Sequence, residues 1–226
     1  MRNRIQITAA EKMDMCSIKP DTRSNLLFFK RKLLEFVALA VSAAIILQAP
    51  FIDVLILKNT ITETSLTELL QGSILTMIAG IFIYLSRHHP VPGTKYGMVL
   101  IAGFFSCAVI RELDFITDQL HISWFYFVLA IVSYMIFLAW RHPDILDGVV
   151  DFCKSESYYI MLCGLLTVFV FSRLMGMGLL WQNLLNESYL RVVKNAMEEG
   201  TELFGYTLCL ISALKYTVSL SGRKEY

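Results

Sequence analysis

The chain reads as an all-α integral membrane protein, a bundle of six transmembrane helices with both termini cytoplasmic. Three observations carry that reading. Of 226 residues, 56% are hydrophobic and only 17% are charged, against about a quarter charged in a soluble domain. The apolar residues fall in blocks of about 20, the length a helix needs to cross a bilayer. Basic residues cluster at alternate ends of those blocks, which gives the blocks a direction. The formal net charge is +1, so no global field points to nucleic acid or an acidic polymer. The expected partner is the lipid bilayer, with no nucleic acid. A small molecule, a lipid or an ion all stay open as substrate.

Residues 1–29 form a polar tail of mixed charge, with a short helix expected near Asn25–Phe29. No apolar stretch follows a short basic start, so no cleavable signal peptide is expected. Residues 30–222 form the six-helix domain. Lys30-Arg31-Lys32 abuts the first span, 33–57, and holds its start in the cytoplasm. Pro50 and Asp53 predict a kink or an early exit from that helix. The second span, 65–86, has Ser65 or Thr67 as N-cap and Glu68 in its first turn. It ends at Arg87-His88-His89-Pro90. The third, 96–113, follows a turn at Pro92-Gly93 and reaches Arg111-Glu112-Leu113-Asp114. The fourth, 122–140, ends at Arg141-His142-Pro143. A loop or short surface helix spans Asp144–Glu156. The fifth span is 158–181 and the sixth 192–220, with Arg223 and Lys224 beyond.

The two exits at Arg87 and Arg141 look alike. Two helices leaving on the cytoplasmic side both need a basic end and a proline stop, which accounts for the echo without an internal repeat. Six spans put both termini on one side. Lys30–Lys32, Arg87, Lys95, Arg141, Lys154, Arg223 and Lys224 all fall there, and the positive-inside rule makes it cytoplasmic. His121, Asn186 and the loop with Glu63 then face outward. The small size and short loops suit a bacterial inner membrane. Trp124, Trp140 and Trp181 sit at span ends, as interfacial anchors do. Five cysteines are present. None forms a CxxC pair, and three lie in apolar runs, where a cysteine packs as a small hydrophobe.

The ionisable residues inside the spans concentrate at the outward end. Glu68 and Gln71 share a face of span two. Arg111, Asp114 and Asp118 are spaced to form one stripe, with a local salt bridge from Arg111 to Asp114. Glu112 points about 100° away from that stripe. Arg173 lies near the outer end of span five, beside Gly176 and Gly178. Glu198, Glu199 and Glu202 open span six. Tyr206 and Cys209 continue their face, and Lys194 stands four residues before Glu198. Gly200 and Gly205, which flank Glu202, suit close helix packing. Arg173 and Glu202 look deepest, so they are the pair expected to bond between spans. The acids outnumber the bases, and that surplus needs protonation, water or a bound cation.

Three functions fit such a surplus. A metal-dependent membrane enzyme would bind a divalent metal ion through Glu68, Glu112, Asp114, Glu198 and Glu202. Glu202, Glu198 and His121 would be its catalytic groups, and Arg111 and Arg173 the charge partners. A proton- or cation-coupled transporter would use the same acids as a relay. A scaffold would use them as a buried polar network that orders the helices. No GxSxG elbow, HExxH pair or phosphate-binding loop is present, which removes the chemistries those motifs serve.

Overall fold

The structure, a computed structural model, describes residues 22–58, 65–89, 91–119, 121–185 and 191–223. All regular structure among them is helical. Six helical runs are long and apolar enough to cross a membrane: Arg23–Ile56, Leu66–His88, Pro92–Glu112, Trp124–Arg141, Ser157–Met175 and Arg191–Ser221. The tail before Thr22, Glu63, Asn186, Lys224 and the side chains of Asp118 and Arg223 lie outside the described residues.

The chain divides into two units, Met1–Ser42 and Ala43–Tyr226. The described part of the first is the start of helix α1 (Thr22–Ile46). This helix begins ahead of Lys30-Arg31-Lys32, so the basic cluster lies on it and not before it. Leu26, Leu27, Phe28 and Phe29 extend the apolar run backwards, and a helix once nucleated adds residues at little cost. Glu35 meets Arg31 at 3.6 Å and Lys32 at 3.2 Å.

In the second unit α1 stops at Ile46, whose carbonyl finds no N–H on Pro50 four residues on. A turn of helix, Gln48–Phe51, leads into a π-helical turn, Ile52–Ile56. The wide turn carries Asp53, which is fully buried. Asp53 accepts hydrogen bonds from the backbone N–H of Leu66 and of Thr67, both at 2.9 Å, and from the Thr67 hydroxyl at 2.5 Å. It thus satisfies the N-terminus of α2 (Leu66–His88), where a negative charge is favoured. Ser65 is the N-cap, accepting from the Glu68 N–H at 3.2 Å.

Helix α3 (Pro92–Glu112) starts with proline where no N–H is needed and packs along α2. Leu113 leaves helical geometry, at φ −101° and ψ 24°, and a short helix follows, Asp114–Gln119. His121 then turns the chain with a positive φ of 53°. Helix α4 (Trp124–Arg141) buries little of itself. The segment after it forms α5 (Ile145–Cys153), which buries Ile145, Gly148 and Phe152 on one face. Helix α6 (Ser157–Leu166) continues through a π-helical turn, Thr167–Ser172, into Arg173–Met175. The expected fifth span runs unbroken to 181. In the structure it stops at Gly176 and Met177, and Gly178–Leu185 is a separate helix. Helix α7 (Arg191–Arg223) has 33 residues. At about 1.5 Å per residue it exceeds the roughly 30 Å hydrocarbon layer.

The core is aromatic at its centre. Phe82 of α2 stacks on Phe105 of α3 at 6.4 Å and meets the edge of Phe152 of α5 at 5.7 Å. Tyr216 of α7 closes on Phe152 at 4.9 Å. Around it backbones come together where glycine removes the side chain. A Cβ on Gly97 would stand 2.7 Å from Gly148, and one on Gly148 would stand 2.5 Å from the Gly93 carbonyl oxygen. A Cβ on Gly205 would strike Val168 at 2.5 Å. The expected packing role of Gly205 is visible here, whereas Gly200 has ordinary contact room beside Pro50.

Candidate functional site

The fold brings the starts of α2 and α7 to the ends of α3 and of the α6 run. There Glu68, Arg111, Glu112, Asp114, Arg173, Glu198, Glu199 and Glu202 line one cavity of about 220 Å³. The five acids expected to bind a metal and both arginines therefore line the same space. His121 is exposed on its turn and is not among the lining residues.

Glu202 is the centre of the charge network. It is 2% exposed. The Ser172 hydroxyl donates to its Oε1 at 2.6 Å, and Arg173 donates to the same oxygen. Arg111 reaches its other oxygen, Oε2, at 3.5 Å. Ser172 closes the π-helical turn of the fifth span. That turn places Ser172 and Arg173 side by side on one carboxylate.

Five further contacts extend the network. Arg173 meets Glu198 at 3.4 Å, and Lys194 binds Glu198 at 2.8 Å. Gly176 leaves room for that carboxylate, since a Cβ there would fall 2.5 Å from it. The Tyr206 hydroxyl donates to Glu112 at 2.8 Å. The buried Gln71 amide donates to the carbonyl oxygen of Glu199 at 2.9 Å and to its carboxylate at 3.1 Å. Gln71 Oε1 has no hydrogen-bond partner among the described residues.

One expected pair is not formed. Spacing alone links Arg111 to Asp114, but Arg111 binds Glu112 at 2.5 Å. The helix ends at Glu112 and Leu113 turns away, so Asp114 no longer lies one helical turn above Arg111. The same break ends the expected stripe towards Asp118. Sequence reasoning also missed Ser172, whose only signal was its place beside Arg173. It gave Asp53 no partner, because the bond to Thr67 links two different spans.

Metal binding was a sequence expectation for Glu68, Glu112, Asp114, Glu198 and Glu202. Among the described residues no group of three or more His, Cys, Asp and Glu side chains is arranged to hold a metal ion. Glu198 and Glu202 turn their oxygens to guanidinium, ammonium and hydroxyl donors instead. Six carboxylates face the cavity, while Arg111, Arg173 and Lys194 supply three positive charges to them. In comparisons with known families, curated proteins and solved structures, the chain matches none.

Proposed function

We propose that this chain is a multi-pass membrane carrier, with both termini cytoplasmic, that takes a solute at a proton-handling cavity facing outward. A bacterial inner membrane is the proposed location. The observation that carries this reading is Glu202: a carboxylate 2% exposed, held by two arginines from different spans, in a cavity walled by further carboxylates. Carboxylates that share a site do not all ionise without a counter-charge. The surplus is therefore balanced by protons or by a bound cation, and it changes with conditions outside. Intramembrane charges that cost about 2.5–3.5 kcal/mol each on insertion scales are functional by default.

The charge network also favours a second reading. The bonds from Gln71 to Glu199, Tyr206 to Glu112 and Arg173 to Glu202 cross-link four spans, which is what a purely structural network does. A metal-dependent enzyme has less support, because Glu112, Glu198 and Glu202 already meet guanidinium, ammonium or hydroxyl donors.

Thermal stability of purified protein across acid to neutral pH separates the two. The carrier reading expects the wild-type curve and the Glu202→Gln curve to differ in shape. Parallel curves, offset only in midpoint, would leave the structural network standing and remove the proton-handling site.

A further inference from the structure

The acidic cavity adjoins a second one of about 530 Å³, and Glu68 and Glu112 line both. Leu69, Gly72, Leu113 and Phe115 give the second cavity apolar walls, and Ser73 and Thr76 add two hydroxyls. Among the described residues no Lys, Arg or His lines it. The two hydroxyls present acceptors there. Ser73 donates to the Leu69 carbonyl and Thr76 to the Gly72 carbonyl, both at 2.7 Å. Each has spent its one hydrogen inside α2, which leaves its lone pairs for the cavity. The two carboxylates, when ionised, are acceptors only. Arg111 and Tyr206 both meet Glu112 at Oε1, and Oε2 takes neither bond.

The shortage continues in the acidic cavity. Six carboxylates line it, and Arg111, Arg173 and Lys194 bring three positive charges to them. Gln71 is fully buried, with its Nε2 turned to the Glu199 carboxylate of that cavity at 3.1 Å. The carbonyl oxygen of the same amide has no hydrogen-bond partner among the described residues. Both spaces are thus short of positive charge and of hydrogen-bond donors. An anion would add to the surplus. A neutral apolar body would match the walls of the second cavity and leave the charge as it is. A bare inorganic cation would answer the charge and leave the apolar walls unmatched. A primary ammonium brings one positive charge and three N–H donors. Its bonds to carboxylate are charge-assisted, and an apolar body attached to it suits Leu69, Leu113 and Phe115.

We infer that the solute is a primary amine with a short apolar body, its ammonium held at Glu68 and Glu112 and its body in the adjoining cavity. The inference rests on the carrier reading of the acidic cavity, and it names the chemical class of the solute. Glu68 and Glu112 are then the residues that select it, because they alone among the eight charged groups of the acidic cavity line both spaces.

The test is equilibrium dialysis of tritiated hexylamine against the full chain in a mild detergent, with empty micelles as background. Saturable binding is expected. Unlabelled hexylamine should displace the label, with hexanol, hexanoate and ammonium chloride each at least about tenfold weaker. Glu68→Gln keeps the shape of the side chain and removes its charge, and should weaken hexylamine by about tenfold. If that variant does not fold, the competition series on wild-type protein decides alone. No saturable binding, equal displacement by hexanol, a preference for hexanoate, or a folded Glu68→Gln protein of unchanged affinity overturns the inference. Displacement by ammonium chloride as strong as by hexylamine removes the apolar body and overturns it too. Stronger displacement by magnesium chloride overturns it in favour of an inorganic cation. The pH contrast between wild type and Glu202→Gln needs no amine, so the two ideas can fail separately. A pH contrast without hexylamine selectivity removes only the solute. Hexylamine selectivity without a pH contrast removes the proton-handling cavity and leaves an amine-binding site.

Discussion

The two ends of the helical bundle are held by different physics. At the basic end, near Arg87 and Arg141, α3 and α5 press backbone to backbone across Gly93, Gly97 and Gly148. Thr94 adds one hydrogen bond to Asp151 at 3.3 Å. The contact works by dispersion between closely fitted surfaces. At the acidic end α2, α3, α7 and the run that begins with α6 surround a cavity and are tied by ion pairs. A close-packed contact has one tight solution. A network of charges has several, because each proton gained or lost changes which pairs form. The first kind of contact suits a fixed fold, and the second suits a site that responds.

The largest effect is expected where packing has no slack. Gly148→Leu places a side chain against the Gly93 carbonyl and the Thr94 backbone, which cannot rotate away. Overpacking costs about 1–3 kcal/mol even where side chains can adjust. Here we expect no folded protein in detergent extracts, scored by size-exclusion chromatography. A monodisperse Gly148→Leu protein would mean that the basic end is not the rigid half.

Arg173→Ala comes next. It strands the buried Glu202 and should cost about 2–4 kcal/mol, less than a fully buried break because Arg173 is half exposed and Arg111 still reaches Glu202. Adding Glu202→Gln should recover part of the loss in a thermal double-mutant cycle. Strictly additive losses would show that the two side chains do not interact.

Asp53→Ala should cost less again, about 1–3 kcal/mol, by orphaning the Leu66 and Thr67 N–H groups. Hydrogen exchange should show faster protection loss at the start of α2 and little change near Phe82. Uniform loss across the chain would make Asp53 part of the core and not a local cap.

Much of this contrast was legible in the residues. Six apolar blocks of membrane length predict six spans, and Pro50 predicts the break that ends α1. Acids and arginines inside apolar runs mark themselves, because hydrocarbon makes each of them costly. The depth of Arg173 and Glu202 singled out the pair that the structure places in contact. What stayed hidden depends on single backbone turns and on contacts far apart in sequence. Leu113 ends α3 and turns Arg111 from Asp114 to Glu112. Gly176 breaks the fifth span and opens space for Glu198. Asp53 caps a helix that starts thirteen residues later. Spacing could not reveal that eight charged residues share one cavity, since its lining comes from five separate helical runs.

The central claim is that the acidic end is kept for response and not for stability. Replacing Arg173 by Met and Glu202 by Leu together tests it most directly, with thermal midpoints read from acid to neutral pH. Exchanging a buried ion pair for apolar side chains of similar size is often neutral or stabilising, by about 1–4 kcal/mol. The account predicts a midpoint at or above that of wild type, with the shape of the wild-type pH curve gone. A collapse in midpoint, or a pH curve parallel to that of wild type, would contradict it.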